Sequence, residues 1–401
     1  MAIKQTILHL SHTDICCDSR ILKELQALEA IENCELVGIG ARLDEGSAAG
    51  INQIRATIHS IVLLASKLRF LPGALKNSLK LIELTLRMGA IGLRSRLAIV
   101  HCHDTLVLPA GVLIKWLSGC QLIYDAHELE SEKNGQSKLL SRATLLIERL
   151  AWSHVDLLVS VSPSILRWYE SKLGRKPHIL ILNSPVVEQG LPSLVSGGTE
   201  PRYFHRRFGI PAAAKVFLYL GIMGPGRGIE RILEVFSRAG MRSHCVFVGY
   251  GSLVDVRPFT ERCSNIHLHP AVPHEEVVGL VQCADFGLCL IEDVSLSDRL
   301  CLPNKLFEYA FAGIPVLSSN LPELRRVVTE YSLGVCCDAS AESIAQAIAK
   351  LEAGPVLKRA SSIADLSWPA QAERLVAAYE TILTSRAASL QPEACAGKIR
   401  P

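Results

Sequence analysis

Residues 302–316 read LPNKLFEYAFAGIPV. A helix is expected from about Asn304 to Phe311, Gly313 stops it, and a proline-introduced apolar strand follows. Glu308 falls in mid-helix, between Phe307 and Tyr309. A carboxylate beside apolar side chains must find donors or bear the cost of desolvation. A sugar diol offers two donors to one carboxylate. Taken alone, Glu308 reads more readily as a surface or capped acid than as a ligand.

The same helix-then-strand unit recurs outward in both directions. Continuous apolar runs stand at 5–10, 35–40, 97–102, 121–125, 155–161 and 178–182, then at 215–221, 244–249, 265–269, 285–291, 314–318 and 334–337. Helical patterns such as 18–29, 138–154, 228–239 and 274–283 lie between them. Short strands that are apolar throughout, alternating with helices, imply α/β architecture: parallel sheets covered on both faces. The alternation breaks at NSPVVEQGLPSLVSGGTEPR, a Pro-, Gly- and Ser-rich stretch that reads as a linker. The expected division is a Rossmann-like domain over 1–185, a linker over 186–206, a second Rossmann-like domain over 207–368, a helix over 369–386 and a disordered tail over 387–401. Ligands of open α/β sheets bind beyond the carboxyl ends of the strands.

Four further segments place polar groups at such ends. LGIMGPGRGIE, residues 220–230, runs from a strand through four glycines and Arg227 into a helix near Ile229. A helix N-terminus offers free N–H groups to an anion, and an arginine can clamp phosphate bidentately. No Gly-Lys-Ser/Thr closes this turn, and no acid ends the next strand, so it is neither a P-loop nor a dinucleotide fingerprint. VFVGYG, residues 246–251, is a strand entering a glycine turn that suits a base or ribose as well as a plain tight turn. LIYDAHELESEKNG, residues 122–135, puts His127 and Glu128 just past a strand. His127 reads equally as a donor to a sugar or phosphate oxygen and as a helix cap, and no further histidine stands nearby at ligand spacing. LSHTDICCDSR, residues 10–20, brings Asp14, Asp18 and Arg20 to a strand end, as acceptor contacts or as a cap and a surface pair.

The 401 residues carry 42 Lys and Arg against 39 Asp and Glu, a balance that excludes general affinity for nucleic acid. Hydrophobic residues at 49% exclude a disordered chain. The 13 cysteines include no Cys-x-x-Cys pair and mostly sit in apolar runs, as reduced core residues do. No apolar signal core opens the chain, and no run of about 18 apolar residues could cross a bilayer. One stretch departs from the balance: residues 66–96 hold Lys67, Arg69, Lys76, Lys80, Arg87, Arg94 and Arg96 against Glu83 alone. It reads as a peripheral membrane-contacting helix or as a solvated face of core helices.

Together LPNKLFEYAFAGIPV, LGIMGPGRGIE, VFVGYG, YDAHE and VSVSPS resemble the retaining, GT-B-fold glycosyltransferases of group 1, family 4, over roughly residues 5–385. The resemblance implies a first domain on the acceptor side, a second that binds the nucleotide sugar, and a last helix that crosses back to the first domain. It implies a UDP- or GDP-sugar donor, a glycan or lipid-linked acceptor, no metal and no cofactor; the reduced cysteines point to a cytoplasmic location and the basic 66–96 stretch to peripheral contact at the inner membrane face. Glu308 matches the acid on the donor ribose, and Arg227 with Lys305 the cations on its diphosphate. Gly224 and Gly226 would admit the phosphates, Gly249, Gly251 and Asn304 would lie by the nucleotide, and His127 near the transferred sugar. Asp14 and Arg20 would border the acceptor. The family's second glutamate, eight positions before Glu308, is Leu300 here, and its first basic residue falls near the apolar Ile222 or Met223. A nucleotide-sugar epimerase and a non-catalytic partner of another transferase are the alternative readings.

Overall fold

Strands, the central ones buried along nearly their whole length, form two parallel sheets in the computed structural model, which describes residues 4–42, 54–68, 71–94, 96–186, 202–251, 254–354 and 363–390. The first sheet is built from β1 (Gln5–Ser11), β2 (Cys34–Arg42), β3 (Thr57–Val62), β4 (Leu97–His103), β5 (Gln121–Ala126), β6 (Leu157–Ser160) and β7 (His178–Leu180). Helices α1 (Ser19–Leu28), α2 (Gly73–Gly92), α3 (Leu108–Ser118), α4 (Lys138–Ala151) and α5 (Pro163–Leu173) connect them. The second part runs α6 (Tyr203–Phe208), β8 (Val216–Leu220), α7 (Ile229–Phe236), β9 (His244–Val248), α8 (Arg257–Arg262), β10 (Ile266–His269), α9 (Val277–Val281), β11 (Phe286–Cys289), α10 (Leu296–Leu300) and α11 (Asn304–Ala312). It ends with β12 (Val316–Ser319), α12 (Pro322–Glu330), β13 (Gly334–Cys337), α13 (Ala341–Ala353) and α14 (Trp368–Leu390).

Strand order is β3-β2-β1-β4-β5-β6-β7 in the first sheet and β10-β9-β8-β11-β12-β13 in the second. Each order reverses once, between β1 and β4 and between β8 and β11. Connections diverge to opposite faces at such a point and open a crevice beyond the carboxyl ends. The chain groups into two compact units, Met1–Ser131 with Gln136–Ile181 and Gln371–Pro401, and Glu132–Gly135 with Leu182–Ala370. In the first unit α14 inserts Tyr379, fully buried, and Arg386 donates to the Gly119 carbonyl at 2.6 Å.

The twelve apolar runs all become strands, with ends shifted by a few residues. The thirteenth strand, β3, was not expected: five of its six residues are exposed or half-exposed, so it lacks a continuous buried apolar run. The helix expected to reach His154 ends at Ala151 and tightens into a 3₁₀ turn, and most of 274–283 shortens to α9. The linker needs correction at its end, because Tyr203–Phe208 is helical and buries Phe204. Most of that linker, 187–201, lies outside the described residues, as do Arg69 and 391–401. The tail expected from 387 begins later, since α14 continues to Leu390.

Candidate functional site

In the second unit the PNKLFEY segment becomes α11, and Tyr309 fastens it under the sheet. Its hydroxyl accepts from the Leu220 amide at 3.0 Å and donates to the Leu218 carbonyl at 3.0 Å. Gly287 makes room for the ring, since a Cβ there would lie 2.3 Å from it. Lys305 precedes Tyr309 by about one turn and is thereby held near the end of β8, and Glu308 immediately precedes Tyr309. Both are buried, at 9% and 6% exposure.

The Lys305 ammonium lies 4.0 Å from the centre of the Tyr219 ring, on its face, and beside Gly221. Among the described residues none forms an ion pair or hydrogen bond with it. Burial pulls Lys305 down to about 8, and Arg227 pushes the same way against the opposite pull of Cys289 and Glu308. Arg227, 40% exposed, reaches Asp298 at 3.9 Å. It leaves from the glycine turn, which the Glu292 amide pins by donating to the Gly226 carbonyl at 3.0 Å. Gly228, at φ +70°, opens α7 where a Cβ would strike the Leu290 carbonyl at 2.2 Å. The first amides of α7 have no intrahelical acceptor, and no side chain caps them. The turn at Gly249 is equally tight: a Cβ there would fall 2.0 Å from the Gly221 carbonyl.

The first unit gathers polar groups at its own reversal point. His9 on β1, His101 and His103 on β4, and Asp125 on β5 are all fully buried. Parallel register sets His9 opposite His101, and the period-two alternation of β4 puts His101 and His103 on one face. Arg20 donates to both oxygens of Asp125 at 3.0–3.1 Å and to the Ile181 carbonyl at 3.1 Å, and its Nε lies 3.0 Å from Glu24. His127 Nε2 lies 2.8 Å from Asp125 and 3.4 Å from His103 Nδ1. His9 and His103 share a hydrogen bond of 2.9 Å, and His101 Nδ1 meets the Tyr379 hydroxyl at 2.5 Å.

Protonation follows from this packing. Burial and mutual repulsion hold His9 and His103 well below the usual histidine range, and burial lowers His101. Burial would lower His127 too, but Asp125 and Asp104 raise it to about 9. Burial would raise Asp125, yet Arg20 and His127 hold it well below the carboxylate range. For Glu24 burial wins over Arg20 and pushes it up to about 8. Donor atoms of His9, Glu24, His101 and His103 lie within 4.8 Å of one another, as do those of His103, Asp125 and His127, so either set could hold a metal ion. In the structure Arg20 and His127 supply the positive charge at these carboxylates.

The sequence-derived residues fall into two sets. Arg227, Lys305, Glu308 and the glycines share the β8 end of the second unit, and Asn304, exposed, begins α11 there. Gly226 lies against Val294 and Gly251 against the Met223 backbone, while Gly224 has open space around it. His127 and Arg20 meet through Asp125 in the first unit. Arg20 is 3% exposed and forms an internal ion pair, because three acceptors converge on it. Asp14 caps a 3₁₀ turn through the Cys16 amide and lies 3.5 Å from Arg42. His127 has histidine neighbours after all: they come from distant strands, which local spacing could not reveal. The missed residues are His9, Glu24, His101, His103, Asp298 and Tyr309. The signal for two of them was HCHD at 101–104, alternating histidines at a strand end. A cavity of about 240 Å³ beside Lys215 and Asp285 opens at the amino ends of β8 and β11, away from both sites.

Two family models match the chain: a glycosyl transferase 4-like domain over residues 24–183 and glycosyl transferases group 1 over residues 214–353. No curated protein sequence matches it significantly. Among solved structures, sucrose-phosphate synthase from Thermosynechococcus elongatus aligns with a TM-score of 0.70 at 16% identity, over 96% of this chain and 98% of that one. HepE from Anabaena, in complex with UDP-glucose, gives 0.62 at 13%, over 96% and 99%. MnaA from S. aureus, in complex with UDP, gives 0.61 at 14%, over 95% and 97%.

Proposed function

The chain is a glycosyltransferase of group 1 with the GT-B fold, and from that premise we propose that its second unit binds a nucleoside diphosphate sugar whose diphosphate rests against Lys305 and Arg227. The observation that carries this reading is Lys305: a buried ammonium that forms no ion pair or hydrogen bond among the described residues, with Glu308 acting on it only through space. A cation held out of water without a counter-charge is costly, and a phosphate supplies that charge. Glu308 takes the ribose diol, and Gly249 and Gly251 leave backbone open beside the base. HepE and MnaA, which share the fold, carry UDP-glucose and UDP in their structures.

Departure of the sugar leaves negative charge on the diphosphate. Lys305, Arg227 and the α7 amides are fixed donors that stabilise it without reorganisation. His127, raised to about 9, is protonated at neutral pH and can donate a hydrogen bond to a sugar or phosphate oxygen. A front-face route with retention fits this residue set: the leaving phosphate accepts the acceptor's proton, and no side-chain nucleophile takes part. The acceptor is a glycan or a lipid-linked sugar. Donor consumption by the protein, with a panel of UDP- and GDP-sugars, should fall at least tenfold in both Arg227→Ala and Glu308→Ala. Wild-type turnover in both variants would overturn the reading. An isomer formed from donor alone would point instead to an epimerase.

A further inference from the structure

On the premise of sugar transfer, we propose that Asp104 is a substrate-binding residue of the first unit, which with His127 grips one hydroxyl of a substrate sugar. The backbone is the first sign. Asp104 follows β4 with φ +68° and ψ 167°, a region that essentially glycine alone occupies without strain. Arg202, at φ +69° and ψ 30°, lies by comparison in the ordinary left-handed region. Fixed neighbours hold Asp104 in place. His103 is buried in the histidine cluster, the Asp104 amide donates to the Asp125 carbonyl at 3.1 Å, and buried Thr105 donates to Glu148 at 2.9 Å. Glycine would make the same turn freely. An aspartate at such a place ordinarily caps the turn that follows, yet the Asp104 side chain makes no capping bond to the 3₁₀ turn Thr105–Val107. The usual structural reason for an aspartate is missing, at a position where an aspartate is strained.

The placement of the carboxylate is the second sign. It stands at the carboxyl end of β4, 15% exposed, 3.8 Å from His127 Nδ1 and 3.7 Å from His12 Nδ1. His127 Nε2 already donates to buried Asp125 at 2.8 Å, so Nδ1 is the ring edge left for a ligand. A separation of 3.8 Å is too long for a direct hydrogen bond, and it lets one oxygen sit about 2.8 Å from both groups. That oxygen accepts from Nδ1–H and donates to the carboxylate. Chemistry then selects the ligand. A diphosphate oxygen only accepts, and Asp104 repels it. An ammonium only donates, and has nothing to offer Nδ1–H. A hydroxyl does both and is neutral, which suits a site whose own charges are already paired. In sugar transfer that hydroxyl belongs to the transferred sugar or to the acceptor.

The test uses the full chain as wild type, Asp104→Gly and Asp104→Asn. The probes are the UDP- or GDP-sugar that wild type consumes fastest and its parent nucleoside diphosphate. Calorimetry reads the affinity for each, diphosphate release is followed in water alone and with methyl glycosides, and urea unfolding reads stability. Asp104→Gly removes strain and carboxylate together. It should unfold at higher urea and yet lose about tenfold or more in sugar-nucleotide affinity or in diphosphate release, with diphosphate affinity unchanged. Weaker binding of the sugar nucleotide assigns the hydroxyl to the transferred sugar. A loss of release alone assigns it to the acceptor, or to water in the acceptor's place. Asp104→Asn tolerates the same backbone and keeps an accepting oxygen, so its activity should fall between glycine and wild type, a graded rescue that a purely structural role would not give. Wild-type affinity and release in Asp104→Gly would overturn the proposal. So would unfolding of that variant at lower urea, or a diphosphate affinity that falls as far as the rest. Diphosphate binding by wild type tests the donor site of the second unit separately.

Discussion

The two sheets treat buried charge at their reversal points in opposite ways. Beside β1, β4 and β5 every strong charge is paired: Arg20 sits between Asp125 and Glu24, and His127 closes on Asp125 and Asp104. Beside β8 the Lys305 ammonium has a tyrosine face and backbone for company, and Arg227 stands half in solvent with a single distant acid. The first arrangement pairs its strong charges internally, although the Glu24 oxygens and His101 Nε2 are buried without a hydrogen bond. The second leaves Lys305 without an ion pair among the described residues, which is the feature the proposed diphosphate would answer. Burial alone therefore does not single out a candidate binding charge; burial without a direct ion pair is the stronger pointer.

The contrast breaks if the paired cluster proves dispensable. Arg20→Ala leaves buried Asp125 with His127 as its remaining cation and Glu24 with none, and should cost about 3–5 kcal/mol in urea unfolding of the first unit. A cost under about 1 kcal/mol would mean the pair contributes little. Gly249→Ala attacks the other site through backbone: its Cβ has no room beside the Gly221 carbonyl, at a φ of +147°. It should lower the second unit's stability by about 2 kcal/mol or more and weaken UDP binding with it.

The two units should also answer pH in opposite directions. His127 is raised to about 9, so its stabilisation is complete below its unfolded value and is lost as pH rises through 9. Glu24, raised to about 8, adds to the loss in the same direction. Lys305 is depressed to about 8, so the unfolded chain binds the extra proton above that pH and the second unit gains stability. Hydrogen exchange should quicken in β4 and β5 by the equivalent of roughly 1–3 kcal/mol between pH 6.5 and 9.5, while β8 slows. Parallel changes in both sheets would remove the distinction. Smallest of all, Arg227→Ala should weaken UDP binding about fivefold to tenfold, since solvent screens a half-exposed charge.

Much of this was legible in residues 302–316 and 220–230. Continuous apolar runs announce strands buried on both faces, and PNKLFEY with the glycine turn located Lys305, Glu308 and Arg227. The rest failed for stated physical reasons. β3 is an edge strand with exposed positions, so hydrophobic patterning could not mark it. His9, His101 and His103 occupy core positions of strands, where a histidine reads as one more buried residue until register sets them side by side. Glu24 reads as a solvent-facing helix acid, and only the fold reveals it facing Arg20. Arg20 itself looked like a surface group because the partners that bury it stand 105 and 161 residues away.

The central claim is that Lys305 is kept unpaired for a diphosphate. The direct measurement is paired: calorimetric titration of UDP and, on the same samples, chemical unfolding of wild type and Lys305→Met. The account predicts that the methionine variant binds UDP about ten- to a hundredfold more weakly while the second unit unfolds at the same or higher denaturant. Unchanged UDP affinity, or a large loss of stability in its place, would contradict it.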